Sequence, residues 1–193
     1  MRRSERRKQI LHAFVKMLEE CPGARITTAA LSQQVGVSEA ALYRHFPSKG
    51  KIIEALIESM EAGLSLGVIN ILDEETEVRS KCQKIVWLLL SFAERNPGFS
   101  RLFVGDALQG ETDKLRHRIR EFFDRIENQI HQVIEDGYSR HGEFTPVSPT
   151  AAANLMLSAA VGRINQFVRS EFKSLPTTDW EEQWAMLETA IFG

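Results

Sequence analysis

The sequence predicts an all-α protein, with an N-terminal three-helix head and a C-terminal helical body. Three observations carry that prediction. Apolar residues recur at the three- and four-residue spacing of helices along all 193 residues, and no convincing period-two run competes with them. Residues 26–49, ITTAALSQQVGVSEAALYRHFPSK, read as two short helices meeting at Gly36. Charge is split unevenly: residues 1–51 hold ten Lys/Arg against four Glu, net +6, and the rest hold 14 basic against 22 acidic residues, net −8. A total charge of −2 thus hides a basic head on an acidic body, the footprint of a nucleic-acid-binding end.

The first helix is expected over 4–20, with Ile10, Phe14, Met17 and Leu18 facing inward, and Cys21-Pro22-Gly23 stops it. In the motif, Leu31 and Val35 lie one turn apart on the first helix, Val37 sits just past the glycine, and Leu42 lies on the second. Two crossed helices need four such side chains between them, and Gly36 permits a turn that a Cβ would hinder. Ser38 is placed to cap the second helix. Such a unit puts its second helix into the major groove of DNA, although the same pattern also occurs as a plain packing element.

Ser48, after Pro47, caps a long helix expected to reach about residue 72. Ile52, Leu56, Met60 and Leu64 tie it to head and body, so coupling between the two would run along it. Gly63 and Gly67 each weaken it by up to about 1 kcal/mol. Residues 78–95 read as the central helix of the body, because IVWLLL is apolar on every face. Pro97-Gly98 ends it, and 99–108 form a shorter helix.

Residues 112–136 make a long amphipathic helix through Leu115, Ile119, Phe122, Ile126, Ile130 and Val133, and 137–149 is the clearest loop. The helix expected over 149–172 carries many small residues, among them Ala151, Ala152, Ala153, Ser158 and Gly162, which let another helix approach closely. The last helix bears Trp180, Trp184, Leu187 and Ile191 on one stripe. That stripe is either core or a surface buried against a second subunit.

The chain is long enough for one large unit or two coupled ones, here 1–51 and 52–193. Its longest apolar run, 85–90, is too short to cross a bilayer, and the charged first ten residues carry no secretory h-region. A soluble cytoplasmic protein is expected. Cys21 and Cys82 have no metal-ligand spacing and are expected to be buried free thiols. Scattered histidines, no phosphate loop and no GxSxG elbow predict neither metal, cofactor nor catalysis.

On the second motif helix, Ser38, Glu39, Ala40, Tyr43, Arg44 and His45 are the exposed candidates, while Val37, Ala41, Leu42 and Phe46 point at the core. Small residues at Ser38 and Ala40 let the helix end approach base edges. Thr27 and Thr28 offer hydroxyls and free N–H groups to phosphate. Tyr43, Arg44, His45 and Lys49 read as backbone clamps. Glu39 either accepts from a cytosine amino group or faces water. The basic tail, Arg2, Arg3, Arg6, Arg7 and Lys8, reads equally as a solvated run or as a DNA contact.

Residues 26–49 resemble the DNA-binding motif of the TetR family of regulators, whose second motif helix ends in a phrase like LYRHFPSK. The resemblance implies that Tyr43 and Lys49 contact phosphates, and that the chain dimerises through its last two helices. A dimer would set its recognition helices about 34–36 Å apart, matching a palindromic site.

Three body phrases, ERNPG (94–98), GDALQGETDKL (105–115) and FVRSEFK (167–173), resemble the nucleoid occlusion factors of that family. That implies a homodimer which, on DNA, antagonises polymers of the tubulin-like division protein FtsZ. FtsZ would dock on the body near the head, where Arg95 and Asn96 are the matched positions. Asn96 equally reads as a cap at a helix end. The stretch 59–72 is poorer in charge and richer in Gly than those factors. A ligand-gated transcriptional repressor is the alternative within the family, with a small-molecule pocket in the body; Trp87 and its apolar neighbours instead suggest a filled core. An unrelated helical interaction module fits the basic head poorly.

Overall fold

Hydroxyl caps set the helix starts. Ser38, Ser48 and Ser148 each accept, at 3.2 Å, the backbone N–H three residues on, and Thr27 accepts that of Ala30 at 3.1 Å. The computed structural model describes residues 3–141 and 146–193. The head holds α1 (Arg3–Glu20), α2 (Thr28–Val35), α3 (Glu39–His45) and the start of α4 (Lys49–Glu74). The body adds α5 (Val78–Arg95), α6 (Pro97–Phe103), a 3-10 turn (Asp106–Leu108), α7 (Asp113–His141), α8 (Pro149–Arg169) and α9 (Trp180–Phe192). No strand occurs among the described residues, so the fold is all-α as predicted.

Element ends depart from the sequence reading where local chemistry intervenes. Pro97 occupies the first turn of α6 as well as closing α5, because its missing N–H costs nothing there. The expected 99–108 helix divides at Gly105, whose φ of 77° is left-handed. α7 runs on to His141, through residues expected to be loop; of the rest of that loop, 142–145 lie outside the described residues and 146–148 lead to the Ser148 cap of α8. α8 stops at Arg169, three residues early, since Glu171 and Phe172 adopt φ of 54° and 66°.

A single apolar cluster runs from Ile10 and Phe14 in the head to Trp180 and Ile191 in α9. Trp180 and Trp184 are buried within their own chain, so the tryptophan stripe is core. In α5 the buried positions are Val78, Cys82, Ile85, Val86, Leu89, Leu90 and Ala93, a stripe one side wide. Trp87 falls off that stripe and is 41% exposed, which corrects the reading of a helix surrounded on every face. Cys21 is also exposed, because it sits in the bend after α1; Cys82 is buried as expected.

Head and body meet through more than α4. Gly98 lies under α1 so closely that a Cβ there would stand 2.7 Å from the Val15 carbonyl oxygen. Beside it, the Arg101 side chain of α6 is 1% exposed and ends against the last turn of α1. Its guanidinium donates to the carbonyls of Leu18 (3.1 Å), Cys21 (2.8 Å) and Ala24 (3.1 Å) and pairs with Asp106. Helix geometry would give the Leu18 carbonyl to the N–H of residue 22, which is Pro22 and has none. Arg101 supplies the missing donor.

Candidate nucleic-acid interface

α3 is presented by a turn whose bonds leave it little freedom. Gly36 is left-handed (φ 71°), its N–H donates to Gln33 O at 3.1 Å, and that of Val37 donates to Ser32 O at 2.9 Å. Leu31 and Leu42 are fully buried where the two helices cross, and Phe46 is 1% exposed at the end of α3. The opposite side of α3 is open: Ser38, Glu39, Ala40, Tyr43 and Arg44 are all exposed. Ala40 offers only a methyl group there, and the Arg44 side chain makes no hydrogen bond or ion pair with a described residue.

Three of the site side chains are linked by hydroxyls. Thr28 Oγ1 donates to Glu39 Oε2 at 3.1 Å and lies 3.1 Å from Tyr43 Oη. With the threonine proton on Glu39, Tyr43 donates to Thr28, and the chain runs Tyr43, Thr28, Glu39. Glu39 thus stays exposed while one of its carboxylate oxygens accepts from Thr28. It terminates a relay that fixes the start of α2 against α3. The hydroxyls of Thr27 and Ser38 are engaged as caps, which leaves the N–H groups of Thr28 and Ala29 without an acceptor among the described residues.

His45 is half-buried, and its Nδ1 is buried without a hydrogen-bond partner. Its carbonyl accepts from Arg7 Nη1 at 2.6 Å, and the same guanidinium lies 4.0 Å from the centre of the Phe46 ring. Arg7, read from sequence as part of a solvated or DNA-contacting tail, is thus a strut under α3; the placement of Arg2 lies outside the described residues. Lys49 opens α4 and is only 15% exposed. Its Nζ sits 2.8 Å from Glu111 Oε1 and donates to the Ile26 carbonyl at 3.3 Å. That places the ammonium beside the first turn of α2.

The structure brings Thr27, Thr28, Tyr43 and Lys49 to one edge of the head, around the α2 N-terminus, with Ser38, Ala40 and Arg44 along the exposed face of α3. N–H groups, hydroxyls and one ammonium on a common edge suit a phosphate backbone, while a small-residue helix start suits a groove. Two participants escaped the sequence reading, Arg101 and Glu111, while Arg7 was read there only as part of the basic tail. Of the two, only Arg101 left a trace, as a lone cation in the apolar run FSRLFV.

Arg95 and Asn96 stand apart from this edge. Arg95 Nε donates to the Ser91 carbonyl at 3.0 Å, and Asn96 Nδ2 donates to that of Phe92 at 2.8 Å, so both close the end of α5. Arg95 is otherwise exposed, and Asn96 lines a cleft of about 540 Å³ with Leu11, Val15, Leu56, Ser59 and Phe99 at the seam of α1, α4 and α6. Among the described residues no group of His, Cys, Asp and Glu could hold a metal ion, and no helix is long and apolar enough to cross a membrane.

Residues 10–56 match the family described as bacterial regulatory proteins, tetR family, and residues 74–191 match the SlmA-like form of the tetracyclin repressor-like C-terminal domain. The nucleoid occlusion factor SlmA of Shewanella woodyi is 51% identical over 186 residues, covering 96% of this chain and 94% of its own. That of Marinomonas sp. is 50% identical with the same coverage. Among solved structures, a TetR-family regulator from Agrobacterium tumefaciens superposes with a TM-score of 0.80 at 16% identity over the whole of both chains.

Proposed function

The chain belongs to the TetR family, in the branch of the nucleoid occlusion factors SlmA, and on that footing we propose that it is itself a nucleoid occlusion factor. In this reading it is a homodimer that binds palindromic DNA sites and, while bound, antagonises polymerisation of FtsZ over the chromosome. It acts as a cytoplasmic, nucleoid-associated regulator with no catalytic step. The observation that carries the reading is identity of about one residue in two across nearly the whole chain, head and body alike.

The geometry supports each part. DNA is engaged by Ser38, Ala40 and Arg44 on the open face of α3, and by Thr27, Thr28, Tyr43, His45 and Lys49 along the backbone. For the dimer, α8 exposes Ala151, Leu155, Ser158 and Gly162 at steps of four, three and four. A Cβ at Gly162 would meet nothing within 4 Å, and Leu155 and Met186 of α9 are 46% and 68% exposed. Small residues around two large apolar ones are what a close helix–helix interface between subunits requires. For FtsZ, the cleft beside Asn96 and the exposed Arg95 offer an apolar floor with polar edges next to the head. The middle of the body, where a repressor would hold its ligand, is filled by Ile85, Val86, Leu89 and Leu90, all fully buried.

The deciding experiment is sedimentation of FtsZ polymers with GTP and this protein, with and without DNA carrying its selected palindrome. Polymer loss that depends on the specific DNA is the expected result. Polymers untouched under every condition, with site binding confirmed in the same samples, would end the FtsZ reading.

A further inference from the structure

Lys49 does not wait for DNA with a free charge. Its ammonium is held at 2.8 Å by Glu111, and both side chains are nearly withdrawn from solvent, at 15% and 11% exposure. Glu111 belongs to the body, in the segment between the 3-10 turn and α7, where its N–H donates to the Leu108 carbonyl at 3.1 Å. It reaches the head by lying over Gly50, at which a Cβ would stand 3.4 Å from Glu111 Oε2. The ammonium also touches the Ile26 carbonyl, one residue before the cap of α2. The unengaged N–H groups of Thr28 and Ala29 open beside it.

A positive helix terminus, two free N–H groups and an ammonium make a seat for an anion. In the free protein a carboxylate of the body holds the ammonium of that seat. We infer that Glu111 stands in for a DNA phosphate: it keeps Lys49 extended beside α2, and yields it to the backbone when DNA binds. The inference rests on the reading of Lys49 as a phosphate contact. A carboxylate and a phosphodiester on one ammonium repel each other, so gaining the phosphate favours the release of Glu111.

Expulsion carries information away from the DNA. Glu111 ends the segment that begins at Gly105 and contains Asp106, the partner of Arg101. A phosphate contact at Lys49 would therefore loosen a body segment within one ion pair of the DNA. This route is far shorter than the length of α4. Glu111 is in this sense a positioning residue for DNA binding, and the 105–112 segment is its reporter.

The test is a double-mutant cycle in the full-length protein, with Glu111→Gln, Lys49→Gln and both together, measured on a selected palindrome from about 50 to 200 mM salt. Lys49→Gln should weaken binding and flatten the log–log salt slope by about 0.9 for each subunit of the dimer. Glu111→Gln should tighten binding about three-fold or more with Lys49 present, and distinctly less with Gln at 49, since no ammonium is then released. Amide exchange over 105–112 should quicken when DNA is added to the wild type, and be quick in Glu111→Gln without DNA.

An equal effect of Glu111→Gln on both backgrounds would reduce Glu111 to a nearby negative charge and overturn the exchange. Unchanged protection of 105–112 in the DNA complex would overturn it as well. Failure of the underlying reading looks different: Lys49→Gln alone would then leave affinity and slope untouched.

Discussion

Thr28 Oγ1 and Tyr43 Oη lie 3.1 Å apart, across the crossing of α2 and α3. The pair joins the two helices at the edge assigned to the DNA backbone, with Glu39 accepting from Thr28 behind it. Tyr43→Phe keeps the ring and removes the hydroxyl. It should weaken DNA binding by about 0.5–1.5 kcal/mol for every sequence alike, and leave the salt slope unchanged because no charge is lost. Lys49→Ala should lower that slope by about 1 for each subunit of the dimer. Titrations of specific and non-specific duplexes at several salt concentrations separate the two.

Arg101 should be among the most costly residues to replace in the body. Arg101→Met strands Asp106 and three carbonyls at the end of α1, and breaking a buried pair of this kind costs about 3–5 kcal/mol. Arg101→Lys should recover only part, since a single ammonium cannot replace a planar fork serving four acceptors. Urea unfolding followed by circular dichroism gives both values, read as a shift of midpoint at constant slope.

Two glycines should answer in opposite directions. Gly63 is exposed on α4, and a Cβ there meets nothing within 4 Å, so Gly63→Ala should stabilise the protein by about 0.5–1 kcal/mol. Gly98→Ala would press a methyl group onto the Val15 carbonyl and should destabilise by about 1–3 kcal/mol. Thermal melts of the two variants beside the wild type would show the sign directly.

The two cysteines should differ in reach. Burial pushes the Cys82 thiol up to about 12, so it stays protonated and shielded near neutral pH. Cys21 is exposed at the bend after α1. A chromogenic thiol reagent should titrate one thiol in the native protein and two in denaturant. Rapid labelling of both under native conditions would mean that the packing around α5 opens readily.

Most of the head was legible because its rules are local. Ser38 and Ser48 cap the helices they were expected to cap, Gly36 makes the turn, and Leu31, Leu42 and Phe46 are buried as the spacing requires. Trp87 was misread because a six-residue apolar run cannot reveal that a helix has neighbours on one side only. Pro97 was read as a stop, whereas the same residue also starts α6. Lys49, Arg7 and Arg101 each take partners 38 or more residues away. Pairings of that range leave no periodic mark, so the sequence could name Lys49 but not Glu111. Arg95 and Asn96 were placed by likeness alone, and their observed bonds, which close α5, leave the partner surface to experiment.

The distance in sequence between Leu18 and its donor has a consequence for the order in which the protein is made. Arg101 follows Leu18 by 83 positions, so α1 is synthesised long before the group that closes its last turn. At about 5–20 residues per second, the growing chain waits roughly 4 to 17 seconds between the two. Throughout that interval the Leu18 carbonyl at the end of α1 has no donor. A nascent chain is thus kept from settling into its finished form until the body has begun to emerge. A product truncated within α4 would carry the complete reading motif and still lack the clasp that steadies it.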